Sequence, residues 1–429
     1  MSISFALDRF NYLLNRVRER LWVKPLCTCV FSVLVIVIAE SFDGHEMFQG
    51  LPEVTNKSVE TLLSILAGGM LAIATFSVGA MVSAYGSASS NATPRSFAAV
   101  ISDDTSQNAL SVFIGSFIFS VVGLFFLQNE VLGPVSRTLV FILSVITYVM
   151  VIYTFVRWVD RIARLGRMGT TIQNVEKVCL KAVKRRSLHP HMDGCPPTSR
   201  DPETSKAIMV TEIGYLQRID LAALQKLAVE FDARFQVQSL PGEYLGQGEA
   251  LCRVWAEKEE WDDAEIAKIQ AAFQIDRRRI FDEDPRFGIV VLSEIASRAL
   301  SPGVNDPGTA IDVMGSLHRL LAAWQEGTDK RKEGDPGFDR VEVPELLIEE
   351  LMADAFASMA RDGAGNIEVS SRLQEVLGSL STLKDPGFYN AAKSQSEMSF
   401  ARAKIAMNFE PDIVALEKIR NQHFAQNFE

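Results

Sequence analysis

The chain has 429 residues, 48% of them hydrophobic and 22% charged, with 43 Lys and Arg against 53 Asp and Glu. This composition excludes a disordered chain, and a formal charge of −10 argues against general nucleic-acid binding. Five cysteines without a paired framework fit a reducing compartment. Apolar residues crowd into the first third, which excludes an ordinary, wholly soluble protein.

Four stretches lack Asp, Glu, Lys and Arg: Pro25 to Ala39, Thr61 to Pro94, Thr105 to Asn129 and Thr138 to Val156, of 15, 34, 25 and 19 residues. A helix crosses a bilayer core with roughly 20 apolar residues. The first run reaches that length if Leu21 to Val23 join it and Lys24 snorkels to the interface. Four transmembrane helices are therefore expected within residues 25–160, after a basic segment, 1–24. Glu40 follows the first run where a signal-peptidase site would need small residues, so the first helix is expected to be retained.

Basic residues set the orientation. Arg9, Arg16, Arg18, Arg20 and Lys24 precede the first helix, and Arg157, Arg161, Arg164 and Arg167 follow the fourth. The loop between helices one and two carries Glu40, Asp43, Glu46, Glu53 and Glu60 against Lys57. Both termini are expected in the cytoplasm, with this loop and the one around Glu130 to Arg137 outside. The location implied is a cytoplasmic (inner) membrane.

In the second helix Gly68, Ala72, Thr75, Gly79, Ser83 and Gly86 recur every three or four residues, which puts them on one face. The third repeats the theme with Gly115, Ser116, Ser120 and Gly123. Small faces let helices pack closely in lipid. The same hydroxyls can line a polar path, with Thr75, Gly79, Ser83, Ser116 and Ser120 as candidate lining. No charged residue interrupts any run, so a buried charge relay is not expected.

Residues 161–200 read as an amphipathic helix, Thr170 to Arg186, and a linker. His189, His191, Asp193 and Cys195 lie close together there, but structural metal sites pair two well-spaced ligand clusters, so no metal site is assigned. No cofactor is implied. Residues 201–256 read as a small β module: strands around Ile208 to Tyr215, a helix from Asp220 to Glu230, an alternating strand from Phe235, a Pro241–Gly242 turn, and a strand ending near Val254. The string from Pro241 to Val254 resembles half of a barrel-sandwich hybrid, with Gly214 to Ile219 starting the other half. The modified-lysine tripeptide of carrier domains is absent.

Residues 257–330 read as a helical core. Asp262 caps a helix to Phe273, and an apolar helix runs from Ile289 to Leu300. The string Ser301-Pro-Gly-Val-Asn-Asp-Pro-Gly-Thr-Ala310 then forces a turn, with Asn305 or Asp306 capping the next helix and Pro307 at its first position. Arg279, Asp284, Arg286, Arg298, Asn305, Asp306 and Thr309 cluster around one apolar helix, a candidate for binding a ligand or fastening subunits. Residues 331–429 read as a helical tail, with amphipathic stretches at Pro344 to Met359 and Glu368 to Leu383.

The Asp284–Ile289 string and the Ala299–Ala310 string resemble a family of bacterial predicted membrane proteins, domain of unknown function twenty-two fifty-four. Ala92-Thr-Pro-Arg95, the Gly115 helix, Gly214–Gln217 and Pro241–Gly242 are similar too, so the resemblance spans most of residues 20–320. It implies a bacterial envelope membrane protein and no established chemistry.

The expectation is an α-helical membrane protein with four transmembrane helices and a cytoplasmic α+β region, partnered by the lipid bilayer and by copies of itself. Two readings follow: a homo-oligomeric ion channel or small-solute conduit, or a membrane-anchored sensor or scaffold without a pore. No nucleophile–base pair or phosphate-cradling loop points to an enzyme.

Overall fold

The computed structural model describes residues 23–41, 43, 54–96, 104–165, 167–258, 260–331 and 334–424. Arg9, Arg16, Arg18, Arg20, Glu46 and Glu53 lie outside the described residues. The chain divides into two compact units, residues 1–171 and 172–429.

The first unit is a bundle of α1 (Val23–Ser41), α2 (Asn56–Asn91), α3 (Asp104–Gln128) and α4 (Pro134–Leu165). All four are long and apolar enough to cross a membrane. Contacts at the two ends define an up-down-up-down course. At one end Lys24 donates to Asn108 at 3.2 Å. At the other, Asp43 accepts from the backbone N–H groups of Gly133 and Ser136, both at 2.9 Å, and Arg137 donates to Asn56 at 2.6 Å. Helix α3 is the most enclosed. An added Cβ at its Gly115 would collide with Thr28 of α1, and Ser32 donates to the Gly115 carbonyl at 3.0 Å. Close backbone approach of this kind is how helices associate where lipid supplies no hydrophobic drive. At the end where α4 finishes, the Trp158 ring meets Phe113 and Phe76 edge-on, with centroids 6.2 and 6.1 Å apart.

Helix α5 (Met168–Leu188) leads into the second unit, which holds eight strands and eight further helices among the described residues. Strands β1 (Gly194–Cys195), β2 (Lys206–Met209), β4 (Arg234–Val237), β6 (Ala250–Trp255) and β8 (Phe338–Glu342) form one sheet, in the order β1-β8-β4-β6-β2. Strand β8 is parallel to both neighbours, and the other pairs are antiparallel. Phe235 stands opposite Val254 and Val341, all three are buried, and α6 (Leu221–Glu230) packs on β8 and β4. Strands β3 (Gly214–Ile219), β5 (Tyr244–Leu245) and β7 (Phe273–Asp276) form a second, antiparallel sheet ordered β5-β3-β7.

These sheets draw strands from 194–195, 273–276 and 338–342, beyond the span 201–256 that the sequence suggests. The two segments that would be twins in a barrel-sandwich hybrid, Gly214–Ile219 and Ala250–Trp255, lie in different sheets. The tail contributes a strand, β8, because its pairing partners lie over a hundred residues away and no local pattern announces them.

The remaining helices are α7 (Asp263–Gln270), α8 (Pro285–Ala299), α9 (Pro307–Asp329), α10 (Ile348–Asp362), α11 (Ile367–Leu380), α12 (Pro386–Ala406) and α13 (Glu410–Phe424). Helix α8 is the centrepiece: Phe287, Ile289, Val291, Leu292, Ile295 and Ala296 are all buried. It packs on α9 and α10, and its Gly288 meets Cys179 of α5.

Candidate functional site

The sequence motifs occupy two regions, one in each unit. In the second, Asp284 is the N-cap of α8. Its carboxylate accepts from the Phe287 N–H at 2.9 Å and from both arms of Arg279, at 2.7 and 3.0 Å. The Arg279 guanidinium lies over the Phe287 ring, 5.3 Å from its centroid. Asp284 is 2% exposed and is pressed against Gly242, whose φ of +100° suits glycine alone. Burial pushes the Asp284 carboxyl above its ordinary value, against the pull of Arg279 and the Phe287 N–H. Two residues on, Arg286 reaches α10 and donates to Asp354 and Glu350, each at 2.6 Å. These charges are spent inside the fold. They fasten the Pro241–Gly242 turn, α8 and α10 to one another.

The other half of the motif is far away. Helix α8 has 15 residues, about 22 Å at 1.5 Å per residue. Arg298, Asn305, Asp306 and Thr309 sit at its far end. Asp306 caps α9, accepting from the Thr309 N–H at 3.0 Å and its hydroxyl at 2.6 Å. These bonds hold its carboxyl below the ordinary value. Asn305 adopts φ +47°, and Val304 beside it is 52% exposed. The seven candidates around α8 thus form two separate constellations, because a helix of this length separates what the sequence brings together.

The linker histidines are also committed within the fold. His189 hydrogen-bonds Asp193 at 2.6 Å, and His191 bonds the Val343 carbonyl at 2.7 Å. Among the described residues no group of three or more His, Cys, Asp or Glu is placed to hold a metal ion.

In the membrane unit the two small-residue faces have opposite fates. On α3, Ser116 and Ser120 are buried, as are Ser111, Gly115 and Gly123. Ser120 donates to the Ser116 carbonyl at 2.8 Å, and Ser111 does the same to Gln107 at 2.8 Å. These residues lie inside the bundle. On α2, Gly68, Ala72, Thr75, Gly79, Ser83 and Gly86 are all exposed, and a Cβ added at Gly68, Gly79 or Gly86 would meet nothing within 4 Å. The buried stripe of α2 is Val59, Leu63, Leu66, Met70, Ala74, Ser77, Met81 and Tyr85. At about 100° per residue, the two stripes lie roughly half a turn apart. The five lining candidates therefore do not share one surface within the protomer: Thr75, Gly79 and Ser83 face out, while Ser116 and Ser120 face in.

The outward faces of the neighbouring helices differ in kind. Those of α1 and α4 are bulky, with Phe31, Leu34, Ile38, Ile146, Val149 and Val156 among the exposed residues. On α2 the large exposed residues Ile65, Leu71, Phe76 and Val82 flank the small stripe.

Four helices long and apolar enough to cross a membrane, joined to a larger unit of mixed sheet and helices, define a membrane protein. A family model described as predicted membrane protein (DUF2254) matches residues 18–379, and the chain belongs to that family. It is similar to uncharacterized proteins of Mycobacterium bovis and Mycobacterium tuberculosis, at 23% identity over 349 residues in each case. The match covers 76% of this chain and 65% of each relative, so the chain spans just under two thirds of the length of these relatives. No solved structure matches.

Proposed function

We propose that the chain is a subunit of a homo-oligomeric conduit for ions or small solutes in the bacterial inner membrane, with both termini cytoplasmic. The path runs between subunits along the outward face of α2, and the 172–429 unit assembles and gates it. The observation that carries this reading is the position of the small stripe, on the side of α2 opposite its packed face. A stripe of Gly, Ala, Ser and Thr wastes lipid contact but suits a close helix approach or a wet surface. Thr75 donates its hydroxyl hydrogen to the Leu71 carbonyl at 2.9 Å, so it presents only lone pairs outward. Such oxygens suit water and cations, and the lack of charge on this face suits passive flow.

The test is flux through liposomes holding the purified full chain. Thr75→Leu and Gly79→Leu are expected to reduce flux severalfold, while Ser120→Ala, inside the bundle, leaves it unchanged. Flux equal to that of empty liposomes across common cations and anions would overturn the proposal.

The sensor or scaffold reading has its own support in the exposed Pro302–Asp306 loop, where Val304 is exposed beside the left-handed Asn305. A partner lost on Val304→Asp, in a protein without measurable flux, would select that reading.

A further inference from the structure

Helix α4 is longer than a membrane needs. Its 32 residues extend about 48 Å, whereas a hydrocarbon core is about 30 Å thick. The charge-free run stops at Val156, and the nine residues from Arg157 to Leu165 continue for about 13 Å. That surplus carries Arg157, Arg161 and Arg164, with Arg167 just beyond, against one acid, Asp160.

The arginines occupy one side of the helix. At about 100° per residue, Tyr153, Arg157, Arg161 and Arg164 fall within a narrow sector. Val151, Phe155, Trp158 and Ile162 turn toward the bundle on the other side, with Trp158 locked among aromatic rings. The basic face is therefore held on a rigid support. Tyr153 is 61% exposed, and Arg157 stacks on it at 5.6 Å and donates to its hydroxyl at 3.1 Å. Tyrosine at such a level is an interface anchor. Arg164 forks onto Asp160 through an ion pair whose side chains are 61% and 66% exposed, so this acid offsets little of the positive field. Lys24 and Arg95 belong to the same end of the bundle. The opposite end carries the exposed acids Glu40, Glu60 and Glu130.

We propose that the outward face of α4 from Tyr153 to Arg164 is a binding surface for the phosphate headgroups of anionic phospholipids. The face lies at the depth where headgroups lie, its guanidinium groups match phosphate in charge and hydrogen-bonding geometry, and the apolar residues below it receive the acyl chains. The surface belongs to a single protomer and stands whether or not the protein conducts.

The test reconstitutes the full chain in nanodiscs of phosphatidylcholine with a graded share of phosphatidylglycerol. Lipids retained after extraction into detergent are then counted by native mass spectrometry. The wild type is expected to retain phosphatidylglycerol preferentially, with about a fivefold loss of preference for each arginine removed. Arg157→Gln, Arg161→Gln and Arg164→Gln combined abolish the preference, the three Arg→Lys changes keep most of it, and Asp160→Asn raises it. A wild type without preference would overturn the proposal, as would a well-folded triple Gln variant that keeps it. Displacement of the lipid by inorganic phosphate at equal headgroup concentration would also overturn it, by assigning the face to a soluble anion.

Discussion

The carboxylate of Asp284 lies against Gly242, forty-two residues earlier in the chain, and closes a turn onto the start of α8. Gly242 tolerates this contact because it has no Cβ and because its φ of +100° costs glycine nothing. Gly242→Ala is expected to destabilise the protein by about 2–4 kcal/mol, combining a strained backbone with displacement of a buried carboxylate. Thermal unfolding of the full chain in detergent, with Gly246→Ala at an open position as the comparison, measures it.

Breaking the Arg279–Asp284 pair from one side leaves the other charge buried. Asp284→Ala or Arg279→Ala is expected to cost about 3–5 kcal/mol. The double variant should cost clearly less than the sum, because it strands no charge. A double-mutant cycle by denaturant unfolding gives the coupling, and strict additivity would show that the pair is not a unit.

At the far end of α8, Asp306 is an exposed cap. Asp306→Ala is expected to cost about 1 kcal/mol, and Asp306→Asn much less, since asparagine caps equally well. The same unfolding assay separates them.

Asp43 ties α1 to α4 by accepting the Gly133 and Ser136 N–H groups. Burial alone raises its carboxyl, but these donors outweigh burial and hold it below the ordinary 3.8. A group with a lowered folded pKa contributes fully above its unfolded pKa and loses that contribution as pH falls through the folded value. Stability of the bundle should therefore decline on acidification below about pH 4. Asp43→Asn should be less stable than the wild type at neutral pH, with a flatter acid limb. Melting temperature against pH checks both points.

Two glycines of the membrane unit should respond in opposite ways to enlargement. Gly115→Leu drives a side chain into Thr28 and should prevent α1 and α3 from packing, seen as lost expression or aggregation. Gly79→Leu has open space and should leave the protomer folded, judged by its monodisperse elution in detergent. If Gly79→Leu unfolds the protomer, the outward assignment of this face fails.

Much of the architecture was legible in the chain. Charge-free runs mark all four apolar helices because an uncompensated charge in hydrocarbon is costly, so composition alone reveals them. Caps were legible too: Asp262 and Asp306 each accept a backbone N–H at a helix start. Helix α8 starts at Pro285, four residues before its apolar run, because Asp284 caps it from inside the fold. Helix α12 lacks a strong one-sided apolar pattern because it packs against α10, α11 and α13, and α13 lacks one because only its Leu416 and Phe424 are buried, so their limits were not legible.

By itself the sequence determined that the protein enters a membrane, where each of its four apolar helices lies, and that α2 and α3 each carry a small-residue face. Only the tertiary structure decided that the α3 face is buried against its neighbours while the α2 face looks outward, and that the residues flanking α8 form two constellations rather than one. The reason is physical. Hydrophobicity and capping act within a few residues and leave a local trace, whereas the choice of face depends on which helix arrives beside it, and the reach of a motif depends on the length of the rigid rod it encloses.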